Sequence, residues 1–121
     1  MTKNSNRMIS DFSSKPRTHS FFADIDAYVA SLGPVGKTLK AQASYSVKRK
    51  FLWLWAYEKT PDGILYLTVM LDGEVQDPQF HYVARVSSNR WNHHVEVKSE
   101  EMANSEWLHA LIREGYAFAQ R

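Results

Sequence analysis

The C-terminal half of the chain holds the side chains with the clearest potential for chemistry, namely His93, His94 and Glu96. Imidazole and carboxylate groups together can bind a metal ion. Neighbouring residues of a strand point to opposite faces, so His93 and His94 cannot both bind one ion. The set that could share a face is His81, His94 and Glu96. The spacing of these residues is not diagnostic, and a hydrogen-bonded His93 beside a solvated His94 also explains them. The metal site is therefore an alternative, and we expect no resident cofactor.

A nuclease-like site is a second chemical alternative. Glu96 and Lys98 have the Glu-x-Lys spacing in which the acid holds magnesium and the lysine polarises water. Such sites also need an aspartate on a neighbouring strand, whereas Asp62 lies in a predicted turn. The chain has no Gly-x-Ser-x-Gly motif, no phosphate-binding glycine loop and no cysteine. The residues therefore favour a protein that is not an enzyme.

Another set of residues suits binding more than catalysis. The three cations at 48–50 lead into seven apolar or aromatic residues that end at Tyr57. Six basic residues and one acidic residue lie between Lys37 and Lys59. Aromatic rings among cations can stack on planar groups and neutralise phosphates, as in proteins that bind single-stranded nucleic acid. The predicted ligand-binding residues are Lys40, Lys48, Arg49, Trp53, Trp55, Arg85 and His94.

Two amphipathic helices are predicted near the ends of the chain. Apolar residues repeat at helical spacing from Phe21 to Leu32, behind Thr18 or Ser20 as an N-cap. Asn104 is expected to cap the last helix. The apolar face of that helix comprises Trp107, Leu108, Leu111, Ile112, Tyr116 and Ala119.

Five strands are predicted between these helices. Residues 38–48 alternate between apolar and polar side chains, which indicates one long half-exposed strand. Residues 51–57 and 64–71 are apolar on both faces, and residues 80–86 and 91–98 alternate again. The sequence thus predicts an α+β fold. We expect a five-stranded antiparallel sheet in meander order, with an N-terminal and a C-terminal helix packed on one face.

The sheet face away from the helices is where function is expected. We place Leu52, Leu54 and Ala56 towards the helices and the row of Trp53 and Trp55 outwards, although the alternation by itself also fits the reverse assignment. If the row is not a binding surface, it is covered by the N-terminal segment, by a loop or by a second subunit. Other residues predicted on the outer face are Lys40, Gln42, Ser44, Ser46, Lys48, Phe51, Tyr57, His81, Arg85, Asn92, His94 and Glu96.

Length and charge indicate a single domain with a basic N-terminal segment. The chain has 121 residues and a net charge of +2. Residues 1–17 hold four basic residues and one acidic residue, so the remainder is nearly neutral. We expect residues 1–17 to be a flexible arm and residues 18–121 to be the domain. We see neither a signal peptide nor a membrane span, and expect a cytoplasmic protein.

The chain resembles a bacterial family of unknown function numbered 5655. The resemblance covers roughly residues 18–120. It rests on residues 32–35, 40–45 and 48–51 with Trp55, and on residues 90–97 followed by Ser99, Asn104 and Tyr116. Asn104 stands where the family usually has an acidic residue. The family is uncharacterised and has no established active site. The resemblance makes these the positions to watch: Lys48, Arg49, Phe51, His93, His94 and Tyr116.

These observations predict a binding module without enzymatic activity. Its partner would be anionic or planar, and nucleic acid or a small anionic ligand would fit. A metal-dependent or nuclease-like enzyme built on the His and Glu residues is one alternative. The other is a structural domain that forms a homodimer through the outer face.

Overall fold

A computed structural model describes residues 7–121 of the chain. This part contains seven strands and three helices. In chain order they are β1 (Met8–Ile9), α1 (Pro16–Ser31), β2 (Gly36–Leu39), β3 (Ala43–Ser46), β4 (Lys50–Tyr57), β5 (Leu65–Leu71), β6 (Tyr82–Ser87), β7 (Arg90–Val97), α2 (Glu100–Ala103) and α3 (Glu106–Gln120). None of the described helices has the length and apolar character needed to cross a lipid bilayer.

The strands form one antiparallel sheet in the order β2-β3-β4-β5-β7-β6, and β1 pairs with the end of β4. The predicted α+β class, with an open antiparallel sheet and helices at both ends of the chain, is confirmed. The order departs from a simple meander at one point, because β7 lies between β5 and β6. The connection over residues 72–81 can span about 30 Å when extended, which is enough to pass one strand position.

The predicted long strand over residues 38–48 is instead a hairpin of β2 and β3. The chain turns at residues 40–42, where the Lys40 amide donates to the Gln42 carbonyl at 3.0 Å. Apolar alternation continues through this turn, and no Gly, Pro or Asn marks it. Lys40 therefore lies at the tip of a hairpin.

The segment over residues 8–17, predicted to belong to a flexible arm, packs against the domain. Met8 pairs with Tyr57 in the sheet, and Phe12 is 3% exposed within the core. Helix α1 starts at Pro16, earlier than the predicted caps. Residues 1–6 lie outside the described residues, so the arm remains a prediction for them.

The turn before β5 holds the N-terminus of α1. The amides of Arg17 and Thr18 donate to the Asp62 carboxylate at 3.1 and 2.9 Å. The Thr18 hydroxyl donates to Asp62 at 3.1 Å and accepts the Gly63 amide at 2.8 Å. Burial raises the pKa of Asp62, but these hydrogen bonds outweigh it and the pKa falls below its usual value. Asp62 thus supplies the cap that α1 lacks in its own sequence.

Replacing Thr18 by valine tests this capping contact. The side chain keeps its shape, but the buried Gly63 amide loses its acceptor. We expect a loss of about 2 kcal/mol in the free energy of unfolding, measured by urea denaturation. Thr38→Val in the exposed strand β2 is the control and should change it by less than about 0.5 kcal/mol. Equal stability of the two variants would contradict the capping role.

One face of the sheet forms the hydrophobic core with α1 and α3, and we call it the helix face. Leu54, Leu67 and Val95 are paired across β4, β5 and β7, and all three are buried there. A single cluster joins them to Ile25 of α1 and Ile112 of α3. The residues that alternate with them along each strand point the other way and form what we call the open face.

The C-terminal helices differ slightly from the prediction. Asn104 ends the short helix α2, which begins after its N-cap Ser99. Helix α3 has Ser105 as its N-cap, and the Ser105 hydroxyl accepts the Leu108 amide at 3.1 Å. The apolar face of α3 is nonetheless the predicted one, with Leu108, Leu111, Ile112, Tyr116 and Ala119 all buried.

Candidate binding site on the open face

Strand pairing brings aromatic and polar side chains together on the open face. Trp53 pairs with Thr68, which pairs with His94. One row further along, Trp55 pairs with Tyr66. Together they border three adjoining depressions that share side chains.

The largest of these three depressions is a cavity of about 240 Å³, which we call the aromatic cleft. The Trp55 and Tyr66 rings are stacked with centroids 5.8 Å apart, and Tyr57 meets Tyr66 edge-on at 4.9 Å. The Tyr82 and His94 rings are stacked at 4.1 Å. The cleft is lined by Trp55, Tyr57, Tyr66, Leu67, His81, Tyr82, His94, Val95 and Glu96. Its walls are therefore mostly flat rings, which suits a planar ligand.

His94 is uncharged at neutral pH. Burial lowers its pKa below the usual histidine value, and the neighbouring His81 and His93 lower it further. The His94 Nδ1 atom lies 2.8 Å from the Thr68 hydroxyl, so each group satisfies the other. His94 contributes a flat ring and a hydrogen-bonding group to the cleft, and no positive charge.

The outer end of the cleft carries the single carboxylate among its lining residues. Glu96 Oε1 lies 3.8 Å from His81 Nδ1 and 3.4 Å from Lys98 Nζ. Burial and this carboxylate raise the pKa of Tyr66. His81, His94 and Glu96 all line the cleft, as predicted for the metal alternative. Among residues 7–121, however, no group of three or more His, Asp or Glu side chains is arranged to hold a metal ion.

A second cavity of about 230 Å³, the inner recess, adjoins the cleft and shares Trp55 and His94 with it. It is lined by Gln42, Trp53, Trp55, Thr68, Asn92 and His94. Trp55 is only 8% exposed, and its Nε1 atom is buried without a hydrogen-bond partner among residues 7–121. The same holds for the buried Oδ1 atom of Asn92.

The third depression, the lysine groove, has a volume of about 160 Å³ and shares Gln42 and Trp53 with the inner recess. It is lined by Met8, Thr38, Lys40, Ala41, Gln42, Ser44, Lys50 and Trp53. Both lysines are exposed. The open face thus carries positive charge at one end and an aromatic cleft at the other.

Four of the predicted ligand-binding residues lie at these depressions, namely Lys40, Trp53, Trp55 and His94. Lys48 and Arg49 do not. The Lys48 amide donates to the Ala119 carbonyl at 2.9 Å, at the end of α3. The Arg49 guanidinium donates to the Arg121 carbonyl at 2.5 Å and lies 5.1 Å from the Phe118 ring centroid, also at the end of α3.

The predicted placement of Arg85 on the open face is wrong. Arg85 pairs with Trp91, whose neighbour in β5 is the buried core residue Leu71, so it belongs to the helix face. Its guanidinium lies 5.3 Å from the Trp91 ring centroid and donates to the Ser88 carbonyl at 2.8 Å. Alternation within β6 separates its two faces, but only the pairing with β7 decides which face is which.

Phe51 was also predicted on the open face and is instead buried in the core. The register between β3 and β4 shifts at this point, next to the pair Tyr45 and Leu52. A bulge breaks the alternation of a strand. The Phe51 ring meets the Tyr116 ring of α3 edge-on, with centroids 5.9 Å apart.

Sequence reasoning missed Lys50, Tyr66 and Tyr82 as site residues. Lys50 lies in a run of three cations that composition cannot tell apart. Tyr66 lies in β5, which is apolar on both faces, so its pattern does not single out an outward residue. Tyr82 lies in β6, where the predicted faces are reversed with respect to β7.

The sequence profile of the family "Domain of unknown function (DUF5655)" matches residues 8–119. The chain belongs to this family. Searches of curated proteins and of solved structures each find no match. Among the DUF5655 positions singled out above, Phe51, His93 and Tyr116 are core residues. The Tyr116 hydroxyl donates to the Pro34 carbonyl at 3.0 Å and so ties α3 to the turn after α1.

Proposed function

We propose that this domain is a binding module for single-stranded nucleic acid, with no enzymatic activity of its own. The main support is that the lysine groove, the inner recess and the aromatic cleft adjoin one another on one face of the sheet. Proteins that bind single strands combine a cationic path for the backbone with rings on which bases stack.

The distribution of charge indicates how a nucleic-acid strand would lie along the open face. Lys40 and Lys50 line the lysine groove and are exposed, so backbone phosphates can approach them. At the far end, Glu96 is close to Lys98 and lies beside aromatic rings. We therefore propose that the lysines contact backbone phosphates and that the cleft accommodates a base.

The nuclease-like alternative has less support. The carboxylate of Asp62 accepts hydrogen bonds from the first residues of α1 and is committed to that role. Glu96 and Lys98 are 3.4 Å apart with no further acid in a metal-binding arrangement among residues 7–121. No observation specifically favours an enzyme over a binding module.

The lysines give the most direct test. We expect Lys40→Ala/Lys50→Ala to weaken binding of a fluorescein-labelled mixed-sequence single strand by about tenfold at low salt, measured by anisotropy. Loss of two phosphate contacts should also reduce the slope of log K against log salt by about 1.4, because each contact on a single strand contributes about 0.7.

The matched control removes the same charge elsewhere. Neither Lys48 nor Arg85 lines the three depressions, so Lys48→Ala/Arg85→Ala should leave affinity nearly unchanged. Equal losses in the two double variants would reject the lysine groove. If neither single-stranded DNA nor RNA binds at low salt, the proposal fails. A doubled mass in solution, lost on mutation of Trp53, would assign the open face to dimerisation instead.

A further inference from the structure

We infer that the inner recess recognises a nucleobase through two hydrogen bonds, one donated by Trp55 Nε1 and one accepted by Asn92 Oδ1. The inference rests on the proposed function and adds which part of the ligand the inner recess recognises. It assigns a chemical requirement to the ligand that stacking alone does not impose.

The two atoms are unusual because they are buried and unpaired. The large majority of buried polar side-chain atoms in proteins have a hydrogen-bond partner. Among the described residues, Trp55 Nε1 and Asn92 Oδ1 are the buried side-chain atoms without one, and both residues line the same recess. Both atoms are covered in this structure, so each side chain must turn to meet a ligand in the recess, which then supplies the missing partner.

Strand pairing defines where the two residues lie. Trp53, Thr68 and His94 form one row across β4, β5 and β7. Trp55 is two residues further along β4, and Asn92 is two residues back along β7. Since β4 and β7 run in the same direction, Trp55 and Asn92 lie on opposite sides of the row. Both residues line the recess, one from each side of the row.

The described residues that complete the recess carry no charge. Thr68 and His94 hydrogen-bond each other, and burial keeps His94 neutral by lowering its pKa. Within residues 7–121, no lysine, arginine or acid lines the recess. The matching ligand part is thus flat and uncharged, with a carbonyl acceptor and an N–H donor. Nucleobases have this combination, and they are read along these edges once unstacked.

Oligouridylate offers a sharp test because uracil has one N–H donor on its base. We would compare labelled twelve-residue oligomers of uridine, 3-methyluridine and 5-methyluridine by anisotropy. Methylation at position 3 removes the donor, whereas methylation at position 5 adds the same bulk and keeps it. We expect the 3-methyl oligomer to bind about five- to tenfold more weakly than the other two.

Protein variants locate the effect. Trp55→Phe keeps a ring to stack on Tyr66 but removes the Nε1 donor, and should weaken uridine oligomer binding about fivefold. Asn92→Leu removes the buried acceptor, should fold at least as stably as the parent chain, and should abolish the preference for uridine over 3-methyluridine. The second variant provides a result even if the first does not fold.

The outcomes separate the two proposals. If 3-methyluridine and uridine oligomers bind equally while Lys40→Ala/Lys50→Ala still weakens both, the base-reading inference is overturned and the binding module stands. If no oligomer binds, both are overturned. If Asn92→Leu keeps the full preference for uridine, Asn92 is not the acceptor and the inference is rejected.

Discussion

Replacing Gly115 by leucine is expected to lower the free energy of unfolding by about 3 kcal/mol. A Cβ atom on Gly115 would lie 2.7 Å from Val69 Cγ1 and 3.0 Å from Phe51 Cδ2. Both neighbours are fully buried on the helix face of β5 and β4, so they have little room to move. Helix α3 approaches the sheet this closely because Gly115 has no side chain.

Urea denaturation would measure the change. Gly115→Ala separates the two opposing effects: alanine gains about 1 kcal/mol in helix propensity, but its Cβ meets the same atoms. We expect a net loss for alanine, smaller than for leucine. Ala117→Leu on the exposed side of α3 is the control and should change stability by less than about 0.5 kcal/mol. A leucine variant at position 115 that matches this control would show that α3 is not held so closely.

Local patterns were enough to predict the secondary structure class of this fold. Each element has one buried side, and this burial produces the helical spacing from Phe21 onward and the alternation in the strands. The hairpin at residues 40–42 and the place of β7 in the sheet could not be read in this way. The first has no turn residue to reveal it, and the second depends on pairing between segments distant in sequence.

The residues of the candidate site also divide into those that local alternation places and those that depend on the register of the sheet. Alternation predicts Trp53, Trp55 and His94 on the open face because it is regular around them in β4 and β7. It misplaces Arg85 and Phe51 because their orientation depends on the register of β6 and on a bulge in β4. The unpaired atoms of Trp55 and Asn92 result from packing, for which the sequence carries no signal.

His93 is expected to make the fold sensitive to acid. It is fully buried on the helix face, where its Nε2 atom accepts the Val75 amide at 3.0 Å. An amide is always a donor, so Nε2 carries no proton, and Nδ1 is left to donate to the Val69 carbonyl at 3.3 Å. Through these two hydrogen bonds, the neutral ring links the connection over residues 72–81 to β5. A second proton would break the contact with Val75.

Burial lowers the pKa of His93, and its effect exceeds the opposing influence of the Val69 and Trp91 backbone groups and of Glu74 and Glu114. The folded pKa is therefore below the unfolded value of about 6.5. The unfolded chain binds the proton more readily, so the contribution of His93 to stability is complete above about pH 6.5. It is lost as the pH falls through the folded pKa.

Two measurements follow for His93. His93→Leu should lower the free energy of unfolding at pH 7.5 by about 3 kcal/mol, because the buried Val69 carbonyl and the part-buried Val75 amide both lose their partner. The variant should also lose less stability than the parent chain between pH 7.5 and pH 5, and hydrogen exchange at the Val75 amide should quicken. His19→Leu, at an exposed position of α1, is the matched control for the loss of a histidine. If His93→Leu shows the parent slope with pH, the acid sensitivity originates elsewhere in the fold.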